Sequence, residues 1–236
     1  MGSVFTELSF AARTLRWYDA NTRDFPWRTT KDPYRIWLSE IMLQQTTVKT
    51  VIPYYNSWLN DLPNVSAVSQ ANLDYILKKW EGLGYYARAR HFHSACRVVV
   101  HEFGGKIPNN YHDFILLPGV GPYIAGAVMS IAHDFPIPAV DGNAYRVVSR
   151  LQAIDSPPNR CNNQIADFLS ARVPLDRPGD FNQAIMDLGR EICTLKTPSC
   201  DLCPIKKYCC ALVNNAVDKY PLRAKRPKKP HYMVAV

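Results

Sequence analysis

No stretch of this 236-residue chain approaches the roughly 18 uninterrupted apolar residues that a membrane-spanning helix needs, so no membrane partner is expected. Between Met1 and Tyr18 the charges come too early, and the apolar residues are too scattered, for a secretory leader. Met1-Gly2-Ser3-Val4-Phe5-Thr6 fits the loose myristoylation pattern, but no second membrane signal accompanies it. There is no internal repeat and no low-complexity block, which sets aside solenoids and compositionally disordered chains. Alternating apolar and polar residues are scarce and short, which argues against a sheet. No flavin or nicotinamide fingerprint is present, so a purely redox enzyme would lack its partner-cofactor site. Seven cysteines without a leader, an odd number, argue against a disulfide framework.

What is present is an ordinary globular balance, with 47% hydrophobic and 20% charged residues. The net charge of +8 allows a polyanionic partner and equally a merely basic protein. Proline and glycine punctuate the chain at Pro26, Pro33, Pro63, Gly82-Gly84, Gly104-Gly105, Pro118-Gly121 and Pro136-Pro138. Between them apolar residues recur at helical spacing, as in Ile36 and Leu43 or Ile124, Ala127, Val128 and Ile131, so an all-α fold is expected. Lys219 to Lys229, rich in lysine, arginine and proline, reads as an exposed linker. His231-Tyr232-Met233-Val234-Ala235-Val236 looks like a first strand with no partner, and the natural protein is expected to continue beyond it.

Cys96 and Cys161 stand apart, while Cys193-x6-Cys200-x2-Cys203-x5-Cys209 crowds four thiols into 17 residues, with Cys210 beside the last. Zinc modules usually place two short knuckles far apart in sequence. Here one Cys-x2-Cys has a further thiol close on each side, which favours a compact loop around a [4Fe–4S] cluster, with zinc as the alternative. Lys196, Lys206 and Lys207 give the loop a cationic rim, so such a cluster reads as structural, pinning a basic loop against phosphates.

Leu117-Pro118-Gly119-Val120-Gly121-Pro122 lies between two helical segments. Its alternate glycines permit positive φ and the close approach of a phosphate, and Pro122 suits the first position of the next helix. The free amides there make an anion site; an ordinary αα-turn is the other reading. The segment from Asp32-Pro33 to Gln44-Gln45-Thr46 reads as one helix, with Glu40 on the face of Ile36 and Leu43. Desolvation there would raise its pKa and make it a general acid, unless it is simply paired with an arginine. Asp141, before Gly142-Asn143, suits a helix N-cap. A carboxylate at a helix start is held ionised, and one protonated with one ionised carboxyl is the pairing that breaks glycosidic bonds.

Together the hairpin run, Val140-Asp141-Gly142-Asn143 and the cysteine spacing resemble the endonuclease III superfamily of DNA glycosylases. Trp37-Leu38-Ser39-Glu40-Ile41-Met42-Leu43-Gln44-Gln45-Thr46 and Gly82-Leu83-Gly84-Tyr85-Tyr86 look like the MutY-type adenine DNA glycosylases, and the similarity runs from about Phe25 to Cys209. The resemblance implies a two-lobed, all-α helix-hairpin-helix glycosylase fold with a [4Fe–4S] cluster loop and DNA in the cleft. Residues 26–133 would form a six-helix barrel domain, and residues 1–25 with 134–218 the cluster domain, leaving 219–236 as linker and the start of a further domain. It also implies base flipping. Glu40 would protonate adenine, Asp141 would stabilise the sugar cation with support from Asn143, and Tyr123 would stand against the reacting sugar. Bifunctional relatives carry a Schiff-base lysine at the Tyr123 position, so base removal without lyase activity is implied. Trp27, Arg28 and Gln183 would line the adenine pocket, while Gln44, Gln45, Thr46, Leu83 and Tyr85 would fill the stack and meet the opposite base. Gly119, Val120 and Gly121 would hold a phosphate, and Cys193, Cys200, Cys203 and Cys209 the cluster.

The implied partner is double-stranded DNA with adenine opposite 8-oxoguanine or guanine, met by a monomer in the cytoplasm or nucleoid of a bacterium, or in the nucleus or mitochondria of a eukaryote. Most members carry a further domain that reads 8-oxoguanine, and the present sequence stops where it would begin. Two rivals remain. A thymine glycosylase acting at T·G mismatches shares the cluster and can share the tyrosine, whereas Gln44-Gln45-Thr46 favours adenine. A non-catalytic iron–sulfur DNA-binding module would leave Glu40 without a task.

Overall fold

Helices in this chain start where a short polar side chain can satisfy their first amides. The computed structural model describes residues 8–222, apart from the side chains of residues 158–160; the myristoylation-like pattern at 1–6, most of the linker at 219–229 and the terminal strand at 231–236 lie outside it. In chain order the helices are α1 (Phe10–Asn21), α2 (Pro33–Leu43), α3 (Val48–Asp61), α4 (Val65–Gln70), α5 (Leu73–Lys79), α6 (Ala87–Phe103), α7 (Tyr111–Ile115), α8 (Pro122–His133), α9 (Gly142–Leu151), α10 (Pro158–Ser170), α11 (Pro178–Glu191) and α12 (Cys210–Val213). Ser9, Asp32, Thr47, Asn64, Asn72, Asn110 and Asp141 cap their helices by accepting a backbone N–H from two or three residues on. Among the described residues every regular element is helical, as expected.

One expectation fails at its end. The helix through Glu40 stops at Leu43 rather than running on to Thr46, because Gln45 takes a left-handed φ of 60°. That conformation closes a helix and costs energy in any residue with a Cβ.

Two hydrophobic cores form. The first spans α2 to α8 and sets Trp37, Trp58, Trp80, Phe92 and Phe114 edge to face. Burying each such ring contributes roughly 1.5–3 kcal/mol. The second joins the first helix to the last long ones, with Phe10, Leu15, Val147, Leu151, Ile165, Phe181 and Leu188 in contact. Arg177 ties α1 to the start of α11 through two bonds to Asp19, at 2.6 and 3.1 Å.

Between the cores runs the crossing segment 134–141, held by two contacts and by the close packing of α8 and α11 on either side of it. Gly126 on α8 has no room for a side chain, since a Cβ there would lie 2.3 Å from the Pro138 carbonyl. Buried Asn182 on α11 accepts from the Ala139 N–H at 3.1 Å and donates to the Ile137 carbonyl at 2.8 Å and the Ser130 hydroxyl at 2.9 Å. Gly179 lets α11 ride directly on the α8 backbone at Ile131. Asp141 is therefore delivered to the junction by packed backbone rather than by a free loop.

Candidate active site

Glu40 leaves α2 on the inner face and is 6% exposed. It has no ion-pair partner among the described residues; its Oε2 accepts a short hydrogen bond from the Tyr123 hydroxyl, which also lies 3.8 Å from the Met186 Sδ. Tyr123 sits there because Pro122 begins α8 immediately after the hairpin. Burial lifts the Glu40 carboxyl to about 7; the Tyr123 hydrogen bond resists that rise and the Asp141 charge adds to it. Burial, with Glu40 beside it, drives the Tyr123 phenol well above its ordinary range, so it stays a donor.

Asp141 is the N-cap of α9, accepting from the Ala144 N–H at 2.7 Å and from Asn143 Nδ2 at 2.7 Å. Asn143 is itself held by Arg146, whose guanidinium also reaches the carbonyls of Gly189 and Cys193. The helix start does not dominate as the sequence suggested. Burial is the larger influence and pushes Asp141 above the ordinary carboxylate value, while the Ala144 and Asn143 hydrogen bonds pull it back. The two acids still differ in kind. Glu40 has one phenolic donor, whereas Asp141 has a backbone amide, a side-chain amide and a nearby guanidinium.

One cleft is lined by Trp27, Arg28, Glu40, Thr46, Tyr123, Asp141, Asn143 and Gln183 together. A second opening shares Tyr123, Asp141 and Asn143 and continues over Gln44, Gln45 and Tyr85. Leu83 lines neither; it is 5% exposed and packs into the first core. In the hairpin only Gly119 needs positive φ, at 76°; Gly121 is extended and caps α8. A Cβ at Gly121 would meet nothing within 4 Å, so neither packing nor φ explains that glycine.

Several residues of the cleft escaped the sequence reading. Asp187 is buried against Arg28 at 2.8 Å and Arg190 at 3.0 Å, and with Met186 and Arg190 it lines the same cleft. Positions 183, 186, 187 and 190 share one face of α11, so helical periodicity from Gln183 would have found them. Asn182 acts only across long stretches of sequence, and Arg146 and Arg88 join a local partner to distant carbonyls, so the distant half of each role leaves no local signal.

The four thiols of Cys193, Cys200, Cys203 and Cys209 line one cavity, whose remaining wall includes Val147, Leu151, Leu188, Ile205 and Arg150. Arg150 is fully buried and donates to the Cys193 sulfur at 3.3 Å and to the carbonyls of Thr194 and Leu195. No group of three or more acidic, histidine or cysteine side chains among the described residues is set to hold a single metal ion. Lys206 reaches back to the Asp201 carbonyl at 2.9 Å within the loop.

Comparison with known proteins decides the family. Residues 38–169 match the HhH-GPD superfamily of base excision DNA repair proteins, more than half of the chain. The chain belongs to the HhH-GPD superfamily. Among curated relatives it is 40% identical over 220 residues to an adenine DNA glycosylase of Buchnera aphidicola, covering 92% of this chain and 63% of that protein. It is 41% identical over 212 residues to the human adenine DNA glycosylase, covering 85% of this chain and 39% of that one. The chain thus spans under two thirds of the length of these HhH-GPD relatives. Among solved structures it superposes on a thermostable thymine-DNA glycosylase with a TM-score of 0.80 at 30% identity, covering 87% of this chain and 95% of that one. A trapped endonuclease III–DNA covalent intermediate matches with a TM-score of 0.74 at 19% identity over 87% and 94% of the two chains, a likeness of fold.

Proposed function

We propose that this HhH-GPD protein removes adenine from mispaired sites in duplex DNA by hydrolysing its N-glycosidic bond after the base is flipped out of the stack. The observation that carries the reading is a buried Glu40, its carboxyl lifted to about 7, sharing one cleft with the hydrogen-bonded Asp141. Glu40 gives its proton to the departing base, which leaves as a neutral molecule. Asp141, carrying the charge its amide donors favour, stabilises the sugar cation that develops; water then bonds to that carbon and its proton returns to the Glu40 carboxylate, in the two-carboxyl logic of glycoside hydrolysis. Asn143 fixes its orientation. Tyr123 keeps Glu40 in place and, being no amine, forms no Schiff base, so strand cleavage is not part of the reaction.

Trp27, Arg28 and Gln183 form the base pocket, with the Asp187 carboxylate holding Arg28 at 2.8 Å. Gln44, Gln45 and Tyr85 face the second opening, where the opposite base, 8-oxoguanine or guanine, would lie; Thr46 lines the base cleft instead, and Leu83 supports the wall of the second opening from within the core. Gly119, Val120 and Gly121 take a phosphate at the start of α8; the open space at Gly121 supports this. We place the lobe boundaries near residues 26 and 133, a division supported by the two separate cores.

The cysteine loop fits a [4Fe–4S] cluster. Four soft thiols line its cavity, with no histidine or carboxylate among the lining residues, and Arg150 supplies a cation beside them. When bound, such a group would fold the 193–209 loop and hold its lysines toward DNA. A monomer working wherever genomic DNA is kept suits this chemistry.

The 30% identity to a thymine-DNA glycosylase keeps thymine excision at T·G mismatches as the second reading. Single-turnover base release from duplexes with A opposite 8-oxoguanine, A opposite G and T opposite G separates the two, with Asp141→Asn as control. Adenine release from the first two, lost in the variant, is expected; thymine release alone would replace the proposal.

A further inference from the structure

Arg88 lies one residue inside the N-terminus of α6, half-buried, where a charged side chain has no evident service to the first core. Its guanidinium is the centre of a fan of hydrogen bonds. One terminal nitrogen donates to the carbonyls of Ile41 at 2.8 Å, Met42 at 3.0 Å and Gln44 at 2.5 Å, at the C-terminal end of α2. The other donates to the carbonyls of Leu83 at 3.1 Å and Gly84 at 3.0 Å, and lies 3.4 Å from the Thr46 hydroxyl. The guanidinium carbon lies over the Trp80 ring at 5.2 Å and the Tyr85 ring at 5.6 Å from their centroids.

These partners belong to two segments about 40 residues apart, which also touch directly through one long bond, from the Thr46 hydroxyl to the Leu83 carbonyl at 3.5 Å. Each holds a residue in the left-handed region despite its Cβ, Gln45 at φ 60° and Tyr85 at φ 48°. Such conformations persist only where surrounding contacts enforce them. Arg88 supplies those contacts on both sides. It also satisfies orphan carbonyls at the negative end of the α2 dipole, a task for a cation.

We infer that Arg88 is a positioning residue that clasps the 44–46 and 83–85 segments into one rigid wedge, so that Gln45 and Tyr85 enter the duplex as a unit when the target base leaves it. The inference rests on the glycosylase reading for its substrate. Arg88 touches neither Glu40 nor Asp141, so it governs how readily the base is extruded and not how fast the bond breaks. A lysine is a poor replacement: its point charge cannot serve both segments as a planar fork does.

Adenine release is measured under single-turnover conditions with Arg88→Lys, on a duplex with A opposite G and on one with A opposite an abasic analogue. In the second duplex the adenine has no partner to leave. The first rate should fall on the order of 10- to 100-fold, as when a supporting contact misplaces a site, and the second should stay within about threefold of the parent. The pH midpoint of the surviving rate should not move. An equal loss on both duplexes, or a shifted midpoint, would overturn the inference. Arg88→Gln, which keeps donors for one segment alone, repeats the test if the lysine variant does not fold, and failure of both to fold would make Arg88 a general scaffold residue. If the parent protein releases no adenine at all, the enzyme reading fails separately. The clasp is then judged by the fluorescence of 2-aminopurine in bound duplex, which rises on unstacking without cleavage and should rise less with Arg88→Lys.

Discussion

Glu40 is a carboxyl group that folding makes harder to ionise, and this ties function to stability with a definite sign. An acid whose pKa rises from 4.5 to about 7 on folding binds its proton more tightly in the native state. Stability from this group is therefore full below about pH 4.5 and declines as pH rises toward 7, by up to roughly 3 kcal/mol. Glu40→Gln removes the penalty, so its unfolding midpoint should draw ahead of the parent's from pH 5 to pH 8 and coincide with it at pH 4. The same variant should release adenine some 10²–10⁴-fold more slowly, since the general acid is gone. A parent rate that falls as pH climbs through 7 would accompany both results; a flat pH profile would remove Glu40 as the acid. Asp141→Asn makes a cleaner knockout. Asparagine caps a helix as well as aspartate does, so α9 should stand, DNA binding should remain, and base release should vanish. Full activity in that variant would end its assignment.

At the scale of elements, the helices themselves were legible and their joints were not. Periodicity and caps identify α2, α8 and α9, and Pro122 at the first turn of α8 is where sequence reasoning places it. The end of α2 differs from the sequence expectation because nothing in Gln44-Gln45-Thr46 breaks a helix; the break lies at the left-handed Gln45, beside a Gln44 carbonyl that Arg88, 43 residues beyond Gln45, holds from a distance. Gly121 looked like a second positive-φ turn residue, yet its backbone is extended and only Gly119 needs the freedom. Asn182 is another case, since an asparagine mid-helix reveals its worth only when the 134–141 crossing lies against it. The α8–crossing contact yields a direct test. Gly126→Ala drives a methyl into the Pro138 carbonyl, so it should cost roughly 1–3 kcal/mol by denaturant unfolding and slow base release by shifting Asp141. A variant with parental stability and rate would show that the crossing can slide without consequence.

For the whole molecule, the +8 charge becomes informative once the cleft and the cysteine loop are placed. Duplex affinity should fall linearly with salt on a log–log plot, each phosphate contact adding about 0.9 to the slope. Exposed Lys196 on the cysteine loop accounts for one such contact, so Lys196→Ala should flatten the slope by about one unit without altering release under saturating enzyme. An unchanged slope would mean that this loop does not meet DNA. Cys200→Ser should yield little folded protein, or protein with weakened DNA affinity, whereas a stable, DNA-binding but inactive variant would argue against a structural role for the loop.

The pairing of α1 with α11 has a consequence for synthesis on the ribosome. Asp19 and Arg177 are separated by 158 residues, and at translation rates of roughly 5–20 residues per second the first helix waits roughly 8–30 seconds for its partner to emerge. During that interval the first core, residues 25–139, can close on its own while the apolar stripe of α1, Phe10 and Leu15 included, stays uncovered. The nascent chain is then a finished lobe trailing a sticky amphipathic tether, a natural client for a chaperone that recognises short apolar helices. Slowing elongation should lengthen that exposure, and moving α1 to follow residue 222 by circular permutation should abolish it.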